Sequence, residues 1–217
     1  KAQYGDSSLG LTSELTNNKN GVHQHVSFVD VNTGFIYITR NATKKNAKRE
    51  RVLQVFAIRQ NALTKKWIEI PFQLNNIEFS VADLVISPDG SKVVFVSDMP
   101  GGFGGSDIYY QDYLGNDKWS NAVNLGKDIN TFGNDRSPFI YDDIFYFSSE
   151  GLGGLGGLDI YKSSMVETSF STPENLGVPF NSNKDDFFFF KDKSNNGQVF
   201  LTSDRNGSVG LDDIYFV

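Results

Sequence analysis

VSDMPGGFGGSDIYY (residues 96–110), FSSEGLGGLGGLDIYK (147–162) and LTSDRNGSVGLDDIYFV (201–217) are three versions of one plan: a strand ending in serine, a glycine-rich turn, and Asp-Ile-Tyr opening the next strand. Ser97 to Asp107, Ser149 to Asp159 and Ser203 to Asp213 are each ten positions apart. The units themselves recur 52 residues apart from Asp107 to Asp159 and 54 apart from Asp159 to Asp213. A period near fifty suits a four-stranded propeller blade better than any helical repeat.

A second shared segment follows each unit. NLGKDINTFGNDRSPF (124–139) matches NLGVPFNSNKDDFFFF (175–190), with Asp135 falling on Asp186, and Asp83 stands 52 residues before Asp135, where it is read as opening the same kind of strand. A degenerate copy precedes them, with strands FIYIT (35–39) and LQVFAI (53–58), a lysine-rich loop between them, and Trp67 echoing Trp119. Ser87-Pro88-Asp89-Gly90 is turn chemistry, proline presetting φ and glycine accepting its positive value, and it makes a hairpin of the flanking DLVI and KVVFVS. Asn195-Asn196-Gly197 and Asp142-Asp143 are read as the corresponding turns in later units.

The expected fold is therefore all-β, a closed propeller of about four four-stranded blades in a single domain. Its units run approximately 23–82, 83–134, 135–185 and 186–217. The last stops after a third strand, and Leu9-Gly10 and Asn17 resemble the segment that follows Asp-Ile-Tyr elsewhere. Residues 8–20 are accordingly expected to pair with Asp213 to Val217, close the ring and remove an open sheet edge.

Composition agrees: 21 Gly, 19 Phe and 9 Tyr in 217 residues favour short strands and tight turns. A net charge of −6 argues against a nucleic-acid partner, which needs a basic field. The one basic cluster, Lys44 to Arg51, is read as a solvated loop. The absence of cysteine removes disulfides, thiolate metal sites and cysteine nucleophiles. No apolar run approaches the roughly 20 residues of a membrane helix, so no spanning segment is expected. A start at Lys1, without Met or a signal-type stretch, is read as a processed chain or an excised domain.

Motifs that look like chemistry reduce to turns. Gly151 to Gly156 fits GxGxxG but leads into a strand, not the helix a dinucleotide site requires. Gly101 to Asp107 and Gly153 to Asp159 approach a calcium nonapeptide, yet the aspartate comes one position late and the units do not stack every nine residues. Asp107, Asp159 and Asp213 are instead read as turn staples, accepting backbone N–H bonds left unpaired by tight glycine turns, with Asp89 and Gly90 doing similar duty in the hairpin. His23 and His25 could begin a zinc site, but neither a cysteine nor a third histidine exists to complete it. No Gly-x-Ser-x-Gly elbow is present. No catalytic residue, cofactor or metal is assigned.

With the SPDG turn, the GGxDIY units and the NLG segments in hand, the chain resembles the WD40-like propeller repeats of the TolB type, most of all those in OmpA-family, PorE-type envelope proteins of Bacteroidetes. The likeness covers about 83–217 well and 8–82 weakly. It implies a periplasmic, outer-membrane-associated protein of a type IX secretion or OmpA-like complex, monomeric by itself and binding other envelope proteins. The expected function is thus a non-catalytic interaction scaffold and not an enzyme, with docking loops carrying Lys44, Lys45, Lys48, Arg49, Phe103 and Leu155. The alternative is a sugar- or peptide-binding, or hydrolytic, propeller with a polar central pocket.

Overall fold

A computed structural model describes residues 23–116, 118–166, 169–192 and 197–217. They form four antiparallel sheets arranged as a four-bladed β-propeller. Blade 1 holds β1 (Gln24–Asp30), β2 (Phe35–Asn41), β3 (Leu53–Gln60) and β4 (Trp67–Pro71). Blade 2 holds β5 (Val81–Ile86), β6 (Lys92–Ser97) and β7 (Asp107–Gly115), with short β8 (Lys118–Trp119) and β9 (Val123–Asn124) both on β7. Blade 3 repeats it with β10 (Asp135–Tyr141), β11 (Ile144–Ser149), β12 (Asp159–Val166), β13 (Ser169–Phe170) and β14 (Glu174–Asn175). Blade 4 holds β15 (Asp186–Lys191), β16 (Val199–Ser203) and β17 (Asp213–Phe216). The segment expected to close the ring, 8–20, lies outside the described residues, as do Asn195 and Asn196.

The first strand of each blade is innermost: β1 packs on β5, β5 on β10, and β10 on β15. The middle strands of blades 2 and 3 are apolar on both faces because each of those sheets is sandwiched between two others. In β6, Val94 and Val96 join the cluster facing blade 3, while Val93 and Phe95 join the one facing blade 1. Period-two alternation thus builds a core at each of three blade boundaries among the described residues. Val55, Leu84 and Phe95 fill the boundary of blades 1 and 2, Ile108, Phe145 and Phe147 that of 2 and 3, and Ile160, Phe189 and Leu201 that of 3 and 4.

The strand registers correct one expected alignment. Asp135 pairs with Ser149 and Asp186 with Ser203, and the residue paired in that way with Ser97 is Val81. Asp83 therefore lies two residues further into its strand than Asp135 does. It falls in a bulge, as do its equivalents Ser137 and Phe188, while Val26 of blade 1 borders one. The register shifts between Val26 and Phe28, Ala82 and Val85, Arg136 and Phe139, and Phe187 and Phe190. Asp83, Ser137 and Phe188 adopt φ values of 48, 53 and 50° there. Bulges with left-handed residues re-aim side chains, and they concentrate beside functional sites.

Candidate functional site

The predicted turn aspartates stand on one face of the ring, where the loops between second and third strands emerge. Asp107 Oδ2 accepts the Phe103 N–H at 2.5 Å and the Asn124 amide at 2.9 Å. Asp159 Oδ2 accepts the Gly156 N–H at 3.1 Å, and Asp213 Oδ2 accepts those of Val209 at 2.5 Å and Gly210 at 3.3 Å. Gly102 and Gly154 are glycine because a Cβ there would collide with the Asp107 and Asp159 carboxylates. In the β5–β6 hairpin, Asp89 accepts from Ser87 Oγ at 2.6 Å and from Ser91 N–H at 3.0 Å, with Gly90 at φ 72°. Lys44, Lys45, Lys48 and Arg49 lie exposed on the β2–β3 loop, and Phe103 and Leu155 project from the matching loops of blades 2 and 3.

The sequence did not single out the group at the axis. Asp83 is 4% exposed. Its Oδ1 accepts from His25 Nε2 at 3.0 Å, its Oδ2 accepts the Ser137 N–H at 3.3 Å, and Arg136 Nε lies 4.0 Å from Oδ2. Its own N–H donates to Thr39 Oγ1 at 3.0 Å. Burial pushes the carboxyl up, but the His25 hydrogen bond and charge, the Arg136 guanidinium and the Ser137 N–H outweigh it and hold it below the ordinary carboxylate range. Asp83 is thus an ionised group inside the ring. Around it stand Val26, Ser137 and Phe188 at the same blade position, and His25, Ala82, Arg136 and Phe187 one residue earlier. Arg136 lies over the Phe187 ring at 5.2 Å, and His25 meets Phe188 edge-on at 5.1 Å. Among the described residues the buried Ser137 hydroxyl has no hydrogen-bond partner.

Two cavities meet at Asp83. One, of about 420 Å³, opens on the loop face and is lined by Ser80, Asp83, Asp98, Ser106, Asn134 and Arg136 among others. The second, of about 600 Å³, runs outward between blades 1 and 4 and is largely walled by Val29, Phe139, Phe190, Phe200 and Ile214. The smaller one carries the polar chemistry. Asp98 has a repeated structural duty there: it accepts the Ser80 N–H at 2.6 Å, as Glu150 accepts that of Asn134 at 3.0 Å and Asp204 that of Asp185 at 2.9 Å. Asp83 has none, because its equivalents are not acids. Among the described residues no cluster of three or more His, Asp or Glu is placed to hold a metal, and His25 spends its Nε2 on Asp83 while His23 is exposed.

No family of known proteins matches the sequence, and no curated protein matches it. Solved structures do. The Penicillium chrysogenum α-L-arabinanase, solved with arabinobiose, aligns at 14% identity and TM-score 0.50 over 85% of this chain and 59% of the arabinanase. A thermostable family-43 glycoside hydrolase aligns at 14% identity over 84% of this chain and 67% of its own, TM-score 0.46. The Fusarium graminearum GH93 α-L-arabinofuranosidase aligns at 11% identity over 90% and 64%, TM-score 0.47. The chain thus spans about three fifths of the arabinanase's length.

At this identity the likeness establishes the propeller. It also corrects two expectations. The non-catalytic docking scaffold and the exclusion of an enzyme both give way, because the propeller that aligns at TM-score 0.50 is an α-L-arabinanase, so this fold does not argue against catalysis. The lack of a Gly-x-Ser-x-Gly elbow does not exclude an enzyme, because carboxylate chemistry needs neither that elbow nor a histidine base. Shared motifs report the ring, whereas the axis is built from residues that the blades do not share.

Proposed function

We propose that the chain is a ligand-binding propeller that takes a saccharide at the mouth of its axial channel, over Asp83. Placement of this one carboxylate carries the proposal. The other blades put Val26, Ser137 and Phe188 at its position, so the fold does not require an acid there. Removing a charge from water costs several kcal/mol per ion before pairing offsets it. A buried carboxylate retained beside an open polar cavity fits a recognition group. Asp83, Arg136, Asn134 and Ser106 offer acceptors, a guanidinium fork, an amide and a hydroxyl to one space, a set suited to vicinal sugar hydroxyls. The arabinanase of like fold holds arabinobiose, and a short oligosaccharide is the ligand class proposed on that analogy.

Hydrolysis is the second reading. It is favoured by Asp98, which borders the same cavity as Asp83, since glycoside hydrolysis uses two carboxylates flanking the scissile bond. Glycan-array screening followed by calorimetry on the purified chain and on Asp83→Ser tests both. A defined oligosaccharide should bind, and the variant should lose roughly tenfold or more in affinity while remaining folded. Release of reducing ends, lost in Asp98→Asn while binding persists, would establish hydrolysis. If no glycan binds, or if Asp83→Ser binds as the wild type does, the proposal fails.

A further inference from the structure

The loop between second and third strands is built differently in blade 1. In blades 2 and 3 the glycine-rich turns lie directly against the segment that leads into the next blade. Gly105 N–H donates to Gly133 O at 2.9 Å, and a Cβ at Gly104 would collide with the carbonyls of Thr131 and Gly133, as one at Gly156 would with that of Lys184. Turn and segment leave no room between them at these glycines. In blade 1 the loop folds on itself instead. Asn46 N–H donates to Glu50 O at 2.8 Å, Glu50 N–H donates to Asn46 Oδ1 at 2.8 Å, and Asn46 Nδ2 reaches Glu50 Oε2 at 3.3 Å. Asn46 is buried by these contacts. The lysine-rich loop is thus a fixed wall that stops short of the segment before β5.

A third cavity, of about 440 Å³, occupies the gap. Lys48, Glu50 and Arg51 stand on its blade-1 side, and Glu78, Phe79 and Asp98 line it too. Ser80 and Asp98 border both this space and the 420 Å³ cavity over Asp83. The two therefore form one groove, running from the axis outward between blades 1 and 2. Each alone lies toward the lower end of the roughly 300–1,000 Å³ typical of a small-ligand pocket. The junction is firm, since Ser80 N–H donates to Asp98 at 2.6 Å and Ser80 Oγ accepts the Leu53 N–H at 3.2 Å. Arg51 and Glu78 are exposed, and among the described residues neither has a partner for its charged head.

We infer that the outer cavity is a second saccharide subsite, in which Arg51 and Glu78 read sugar hydroxyls, and that the ligand is a neutral chain of two or more units lying outward from Asp83. The inference rests on the saccharide reading of the axial cavity and adds a length and a charge to it. Both signs of charge line the outer space: Lys48 and Arg51 stand with Glu50, Glu78 and Asp98. An acidic sugar would meet three carboxylates and an amine two cations, a mixture that rejects either charge. Neutral vicinal hydroxyls can donate to the carboxylates and accept from the guanidinium at once. Phe79 and Pro100 supply apolar surface for the C–H face of a ring.

Calorimetry on the intact chain, with ligand-observed NMR for the single sugars, tests the inference using arabinose, xylose and glucose chains of one to four units. Two units should bind roughly tenfold or more tighter than one. Arg51→Ala and Glu78→Gln should each lose most of that gain and leave the affinity for the single sugar unchanged, whereas Asp83→Ser should weaken every length. Equal affinity for one unit and two would overturn the subsite and leave the saccharide reading standing. So would losses in Arg51→Ala and Glu78→Gln that are absent, or the same at every length. Binding of acidic glycans alone would overturn it as well, and binding of no glycan would overturn it together with that reading.

Discussion

Asp135 and Asp186 occupy one position in successive blades, and their surroundings set opposite consequences for the same substitution. Both are fully buried. Asp186 Oδ2 accepts from Ser182 N–H at 2.6 Å, and its Oδ1 accepts from Arg205 Nη2 at 2.6 Å. Asp135 Oδ2 accepts from Thr131 N–H at 2.5 Å and Thr131 Oγ1 at 3.0 Å, with no cation paired to it among the described residues. Burial pushes the Asp135 carboxyl up, and nearby Asp107 adds to this. Asp186→Asn leaves the Arg205 guanidinium, whose side chain is 18% exposed, without its counter-ion. Breaking a buried pair costs about 3–5 kcal/mol. Arg205 keeps the carbonyls of Pro179 and Phe180 at 3.0 and 2.6 Å, so the lower end, about 3 kcal/mol, is expected. For a chain of this size that is a fall of roughly 6–12 °C in Tm. Asp135→Asn keeps the Thr131 bonds through the amide oxygen and removes a penalised charge, so it should be neutral to stabilising at pH 7. The sign follows from linkage. An acid whose folded pKa is raised contributes full stability below its unfolded value near 3.8, and loses it as pH rises through the folded value. The gain from Asp135→Asn should therefore vanish toward pH 4. Urea unfolding followed by the fluorescence of Trp67 and Trp119, at pH 7 and pH 4, reads both variants. Equal losses at pH 7 would refute the assignment of different electrostatic environments.

Three further outcomes are expected. Asn130→Ala removes both bonds by which the buried amide clamps the Ile108 backbone, at 2.8 and 2.9 Å, and should cost about 2–4 kcal/mol, since each orphaned backbone group carries its desolvation penalty; an unchanged urea midpoint would show that water replaces the amide. Gly102→Ala puts a Cβ against the Asp107 carboxylate and should destabilise by about 1–3 kcal/mol, whereas Gly102→Ala combined with Asp107→Ala should cost less than the sum of the two. The Asp89 carboxyl, held at about 2 by Ser87 Oγ and by Ser91 N–H and Oγ, should titrate there in a carbon-detected NMR experiment, so that the hairpin's small contribution is present above 3.8 and fades as pH falls toward 2; a midpoint near 4 would mean that the turn bonds do not form in solution.

The repeat was legible because each blade must solve the same problem with the same atoms. The ten-residue step from Ser97 to Asp107 reports a turn whose carboxylate caps its own glycines, and that solution cannot vary much without stranding backbone donors. Blade 1 was harder to read, since its β2–β3 loop satisfies Asn46 and Glu50 with each other and needs no Gly-Gly-x-Asp turn. The misplacement of Asp83 has a comparable cause. A bulge shifts the pairing by one residue in every inner strand, and counting residues between aspartates cannot reveal which side of a bulge each one occupies.

The axial site was illegible for the opposite reason. Asp83, Arg136 and His25 come from three blades, and each departs from what its counterparts carry, so no motif contains two of them. One local signal was available: Val81-Ala82-Asp83-Leu84-Val85-Ile86 is an apolar strand interrupted by a single charge, which burial makes costly unless partners are supplied. The partners lie 58 residues upstream at His25 and 53 downstream at Arg136. Distances of about one blade are those at which neighbouring inner strands meet across the axis. In a propeller, then, what repeats at the blade period builds the ring. What breaks the repeat, on the innermost strand and one period apart, is where recognition chemistry can be assembled without disturbing the cores between blades.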